Sequence, residues 1–126
     1  MNQENYQQMQ MLDYQIKQLQ KIVETVDSQL VEMSATVEAL NEFEKLHNND
    51  EILFPIANGI FARGKLSDNK TLKINIGSNV VVEKNVADTI IMLETQARDI
   101  EEYKAQVMAQ LQKFIDMMNQ MQGAQE

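Results

Sequence analysis

Few residues of this chain could do chemistry, and each has a competing explanation in its neighbours. The run Gly59-Ile60-Phe61-Ala62-Arg63-Gly64-Lys65-Leu66 approaches the spacing of a phosphate-binding loop. Such a loop wraps backbone amides around phosphate, holds magnesium with a hydroxyl after the lysine, and opens a helix. Here bulky residues fill the interval, Leu66 replaces the hydroxyl, and no helical pattern follows, so the run predicts a strand with an exposed Lys65. His47 is the single histidine, and no acid–histidine–nucleophile set surrounds it; it reads as a helix-end residue. Glu38, Glu42 and Glu44, and the pair Glu101-Glu102, resemble metal or acid–base clusters only in composition. Coiled-coil surfaces carry such acids as solvated charge. The absence of cysteine excludes disulfides, cysteine-based zinc sites and thiol catalysis. The expectation is no catalytic residue, no metal, no cofactor and no enzyme.

The methionines are the exception. Six of nine lie near the two ends: Met1, Met9, Met11, Met117, Met118 and Met121. Met9, Met118 and Met121 fall on apolar seams and could simply fill them. Met11 and Met117 do not, and Tyr6 adds an aromatic. Flexible, polarizable side chains on an exposed surface suit binding of varied apolar partners.

The elements that position these residues follow from periodicity. From Asn5 to Leu46 apolar residues recur at alternating spacings of three and four: Met9, Leu12, Ile16, Leu19, Val23, Val26, Leu30, Met33, Val37 and Leu40. That is a coiled-coil seam. At ~1.5 Å per residue such a helix runs ~60 Å. His47-Asn48-Asn49-Asp50 ends it, with asparagine suited to the left-handed conformation. A second seam covers residues 86–121: Val86, Ile90, Leu93, Ala97, Ile100, Lys104, Val107, Leu111, Phe114, Met118 and Met121. Lys104 is its one break; a lysine at a seam costs stability and can fix register. Asn85 suits the N-cap, with Asp88 favourable three residues on. Residues 122–126 are expected to fray.

Between the seams, residues 51–84 hold the β-branched residues, the turn signals and the only proline, Pro55. Leu72, Ile74 and Ile76 alternate with Thr71, Lys73 and Asn75, a half-buried strand pattern. Gly77-Ser78-Asn79 leads into Val80-Val81-Val82; residues 52–57 and 60–66 read as two further strands with Gly59 between them. Four short strands form two hairpins, too small to bury both faces alone. Two seams joined by this turn-back predict an antiparallel helical hairpin, with Leu12 near Met118 to Met121. The fold class is α+β, and 1–126 is one domain.

Composition agrees. The net charge of −8 disfavours nucleic acid, whose phosphates need a basic footprint. Aromatic residues are scarce at 6 % and tryptophan is absent, as in an extended helical body. The start lacks a basic region before an apolar run, and no stretch approaches the ~18 apolar residues of a membrane helix. A cytoplasmic, membrane-free protein is expected, in which the sequon Asn69-Lys70-Thr71 is silent.

Helix, two β-hairpins, helix is also the layout of the alpha-class prefoldin subunits, and the residues resemble that family beyond layout. Leu53-Phe54-Pro55-Ile56 resembles its leucine–x–proline–aliphatic opening of the first hairpin. Gly64-Lys65-Leu66-Ser67-Asp68 is similar to its following turn. Ile74-Asn75-Ile76-Gly77 and Val80-Val81-Val82-Glu83-Lys84, then an early helical Ala87, resemble its most specific signature. Ala57-Asn58-Gly59 departs from the small residues common there.

The resemblance implies a nucleotide-independent chaperone of two alpha and four beta subunits. Its hairpins assemble into an oligomeric β-barrel, and its coiled-coil tips hold non-native clients for a group II chaperonin. It would place oligomerisation on Leu53, Ile56, Ile60, Leu66, Leu72, Ile74, Ile76, Val80 and Val82. Client binding would fall to Tyr6, Met9, Met11, Leu12, Phe114, Met117, Met118 and Met121. The rival reading is a purely structural coiled-coil protein whose hairpins only oligomerise.

Overall fold

A computed structural model of the chain describes residues 3–123, so Met1 and the last three residues of the expected frayed tail lie outside it. The order is α1 Gln3–Glu44, β1 Glu51–Ala57, β2 Ile60–Lys65, β3 Thr71–Gly77, β4 Val80–Asn85 and α2 Val86–Gly123. Helix α1 ends two residues earlier than the apolar pattern suggests, because the chain turns before Leu46. Helix α2 continues through Gln122 and Gly123, which were expected to fray. By packing, the chain divides into two units: residues up to Glu32 with those from Gln96 on, and Met33–Thr95.

In the first unit the helices pack through the two seams. Leu12, Val26 and Val107 are buried, and every other seam residue of this unit is at least partly covered. Lys104 keeps its seam position by carrying its charge to the rim. Its Nζ lies 2.7 Å from Asp27 Oδ1. The aliphatic stem packs while the ammonium reaches a carboxylate of the other helix, as long cationic side chains commonly do. That pair, together with Met9 and Ile16 sharing a groove with Ile115 and Met118, sets the two segments antiparallel.

In the second unit β1 pairs with β2 and β3 with β4, each antiparallel, as two separate two-stranded sheets. The two hairpins repeat one another at an offset of 20 residues. Glu51 faces Lys65 as Thr71 faces Asn85, and Ala57 faces Ile60 as Gly77 faces Val80. Both ladders shift register at the residue before the last pair, Ile56 in one and Ile76 in the other. Each turn has two residues with positive φ: Asn58 (41°) and Gly59 (81°), then Ser78 (51°) and Asn79 (63°). Such turns match the twist of the flanking strands. The residue after each hairpin is buried, Leu66 at 7 % exposure and Val86 at 1 %.

Side-chain caps close the helices of this unit. Asn85 Oδ1 accepts from the N–H of Asp88 at 2.7 Å and its Nδ2 donates back to Asp88 Oδ2 at 3.0 Å, satisfying donors at the start of α2. Asn49 is left-handed (φ 74°), yet it lies five residues past the end of α1 and does not cap it. That role belongs to Asn69, whose Nδ2 donates to the carbonyls of Glu44 (3.2 Å) and Leu46 (2.6 Å). Nothing local in the sequence signals a cap supplied from 23 residues away.

Candidate functional site

Two surfaces carry the side chains singled out above. The first belongs to the hairpins. Leu53, Phe54, Ile56, Ile60 and Phe61 of the first hairpin are exposed, as are Ile76, Val80 and Val81 of the second. Exposed apolar residues this dense on two-stranded sheets, each with open edges, mark a surface made to be covered. Of the residues expected to oligomerise, Leu53, Ile56, Ile60, Ile76 and Val80 are exposed, while Leu72, Ile74 and Val82 are half-buried. Leu66 stands apart: it is buried within the chain, its N–H donating to Asp50 O (2.9 Å) and its carbonyl accepting from Asn49 N (2.6 Å). It closes the base of the first hairpin and offers no side chain outward. Phe54, Phe61 and Val81 were missed; β-propensity in the strands could have pointed to them.

Gly64 is part of this surface. A Cβ there would overlap the ring of Phe54, which covers the glycine diagonally across the ladder. The glycine of the phosphate-loop lookalike thus makes room for an aromatic ring on a strand. Lys65 ends β2 and is exposed.

The second surface lies in the helical unit. Tyr6, Met9 and Ile16 of α1 and Ile115 and Met118 of α2 line a groove of about 440 Å³, with Gln10, Asp13, Asn119 and Gln122 at its polar rim. A further depression of about 380 Å³ holds Met117 and Met121 with Asn5, Gln8 and Gln120. Met11 projects outside both and is 64 % exposed. Phe114 is half-buried and lines neither. Leu12 is buried at 7 % in the helix pair, as its seam position requires. Ile115 was missed; it follows Leu111 by four and precedes Met118 by three, the spacing that marks one helical face.

The polar side chains support structure. His47 is largely exposed, and its backbone N–H donates to Asp50 Oδ2 at 2.8 Å, closing the turn after α1. The N–H of Lys70 donates to Asp68 Oδ1 at 2.8 Å, and this bond, aided by Thr71, holds the Asp68 pKa below its ordinary value. Among the described residues no group of three or more His, Asp or Glu side chains could hold a metal ion. No described helix is long and apolar enough to cross a membrane.

Comparison with known proteins supplies the family. A family model described as "Prefoldin subunit" matches residues 12–125. Prefoldin subunit alpha of Methanococcus aeolicus is 24 % identical over 120 residues, covering 95 % of this chain and 81 % of that protein. Prefoldin subunit alpha of Archaeoglobus fulgidus is 28 % identical over 120 residues, covering 95 % and 88 %. Among solved structures, filamentous prefoldin of Methanocaldococcus jannaschii superposes with a TM-score of 0.79 at 11 % identity, covering 91 % of this chain and 95 % of that one; at that identity the likeness speaks for the fold. Two seamed helices, two matched hairpins and a family model spanning nearly the whole length agree: the chain belongs to the prefoldin subunit family, among relatives of the alpha type.

Proposed function

We propose that this chain is an alpha-type subunit of a cytoplasmic chaperone that works without nucleotide. Its hairpins join beta-class prefoldin subunits, two alpha with four beta, in an oligomeric β-barrel. Its methionine-rich helical end holds non-native clients and releases them to a group II chaperonin.

The observation that carries this reading is the set of outward apolar side chains on both hairpins. Covering one such side chain contributes ~1.5–3 kcal/mol, so a partner that covers several gains enough to assemble. Client binding is assigned to Tyr6, Met9, Met11, Met117, Met118 and Met121, with Phe114 and Leu12 packing in the helix pair behind them. A groove lined by the unbranched thioethers of Met9 and Met118 together with Tyr6, Ile16 and Ile115, beside amides and the Asp13 carboxylate, can adapt to varied apolar segments. Affinity comes from several weak ends holding one client at once.

Diluting a denatured enzyme into buffer with and without the assembled complex tests the proposal by light scattering. The complex should suppress aggregation without nucleotide; a purely structural coiled-coil protein would leave scattering unchanged. Changing Met11, Met117 and Met118 together to Ser should leave the mass of the complex intact and weaken protection. Undiminished protection would remove these residues from the client surface.

A further inference from the structure

We propose that the helical unit holds an extended segment of a non-native chain along one flank of its helix pair, with glutamine side chains bonding to the backbone of that segment. This rests on the client reading above and adds to it the flank used and the form of client taken.

Positions beside a coiled-coil seam ordinarily carry Glu and Lys, whose opposite charges meet across the pair. One flank of this unit departs from that rule. On α1 the residues just before the seam sites Met9, Ile16, Val23 and Leu30 are Gln8, Gln15, Ile22 and Gln29. On α2 those just before Ala97, Lys104, Leu111 and Met118 are Gln96, Tyr103, Gln110 and Met117. None of the eight is charged and five are glutamine, in a chain that is 24 % charged. Packing puts them on one side. Ile22 and Tyr103 share a depression of about 400 Å³ with Gln29, and Gln8 and Met117 share the depression that also holds Met121. The register so set places Gln15 opposite Gln110 between the two depressions, and Gln29 opposite Gln96 beyond them.

The other flank carries charge. The groove of Tyr6 and Ile115 lies on that side and reaches Asp13, which pairs with Lys17 at 3.0 Å. Farther along come Glu101 and Asp27, the carboxylate that holds Lys104. On the uncharged flank, charge returns only away from the seam. It does so at Lys21 beside the Tyr103 depression, and at Glu4, Glu32, Asp99 and Lys113 in the next row out.

The five glutamines are exposed, and among the described residues none of their amides bonds to another group of the chain. A glutamine side chain offers donors and an acceptor together, and carries no charge that must be paired when water leaves. An unfolded segment offers the complement. Its backbone N–H and C=O groups lack partners and must find them once its apolar side chains are covered. A helix or a native sheet offers nothing comparable, because its backbone groups are already bonded. Tyr103 and Met117 are 48 % and 40 % exposed and provide apolar contacts on either side of the Gln15 and Gln110 amides. The two depressions lie fourteen residues apart on each helix. That is ~21 Å at ~1.5 Å per residue, a distance that ~6 extended residues span at ~3.3 Å each. Met117 and Met121 already belong to the client surface, so this flank continues it along the unit.

The test uses the complex assembled with beta-class subunits and a short, uncharged peptide of Val, Leu and Thr carrying a quencher. A fluorophore on Gln106→Cys, the sole cysteine of that chain, makes only this subunit report. Gln15→Glu with Gln110→Lys gives the flank an ordinary coiled-coil ion pair, so the helix pair keeps its stability. Binding should weaken roughly tenfold, as loss of one or two hydrogen bonds allows. N-methylating the peptide backbone should cost the unmodified complex a similar factor and the variant little more. The matched change on the charged flank, Gln20→Glu with Met108→Lys, should leave binding unchanged. Equal losses from the two flanks, or undiminished binding of the N-methylated peptide or of a helix-locked one, would overturn the inference. So would a lower native mass of the Gln15→Glu/Gln110→Lys complex, which would assign the flank to a neighbouring subunit. An unmodified complex that neither binds the peptide nor suppresses aggregation would instead refute the client reading itself, and would show before any flank variant is made.

Discussion

The helical unit and the hairpins hold comparable apolar residues and treat them oppositely. In the helices the residues fall every three or four positions, so one stripe on each of two segments meets the other. Leu12, Val26 and Val107 are buried with no help from another molecule. In the hairpins the period is two, a two-stranded ribbon has two faces and two edges, and one chain cannot cover them; Leu53, Ile56 and Phe61 remain outside. A seam that closes on itself gives an arm that can stand in water. A ribbon that cannot close gives an attachment point.

The largest test of this contrast changes Leu72, Ile74 and Ile76 together to Ser. With each side chain contributing ~1.5–3 kcal/mol on burial, the complex should be lost while the helical circular-dichroism signal persists. A native mass unchanged from that of the parent complex would sink the distinction between attachment and arm. Next in size is Gly64→Ala. Its Cβ would displace the Phe54 ring, and overpacking of this kind costs ~1–3 kcal/mol. Assembly should weaken, and Phe54→Leu should restore part of it; a double variant no better than Gly64→Ala would show that the ring is not the obstacle.

Smaller effects sharpen the helical side. Asp27→Ala leaves Lys104 at the seam without its carboxylate and should lower the thermal midpoint modestly, by up to ~1 kcal/mol for so exposed a pair. Lys104→Leu should raise that midpoint and loosen register, seen as a second set of cross-helix contacts by spin-label distances. A single distance distribution would mean that the other seam residues already set the register. Acid should act most weakly, through Asp68. Its pKa is lowered in the fold, so its stabilising contribution is complete above the unfolded carboxylate value and disappears as pH falls through the folded one. The amides of Lys70 and Thr71 should exchange faster over that acid range, and Asp68→Asn should flatten the dependence.

Much of the fold was legible because its signals are local. Both seams, the Asn85 cap with its Asp88 partner and the two hairpins follow from spacing or from turn chemistry within a few residues. The hidden parts depend on residues distant in sequence. The Asn69 cap on α1, the Asp27 carboxylate that serves Lys104 and the Phe54 ring over Gly64 each join positions that no window of periodicity spans. The candidate sites divide likewise. Exposure of Met11 and Met117 follows from their off-seam positions, whereas burial of Leu66 does not follow from a strand pattern, because it depends on Asn49 and Asp50 returning to its backbone.

By itself, then, the order of residues determined which segments are helix and which are ribbon, since apolar period and turn conformation act between near neighbours. Only the tertiary structure decided which apolar side chains are consumed inside the chain and which are left for a partner. Burial depends on what a face meets, and here the helices meet each other while the outward faces of the ribbons meet water.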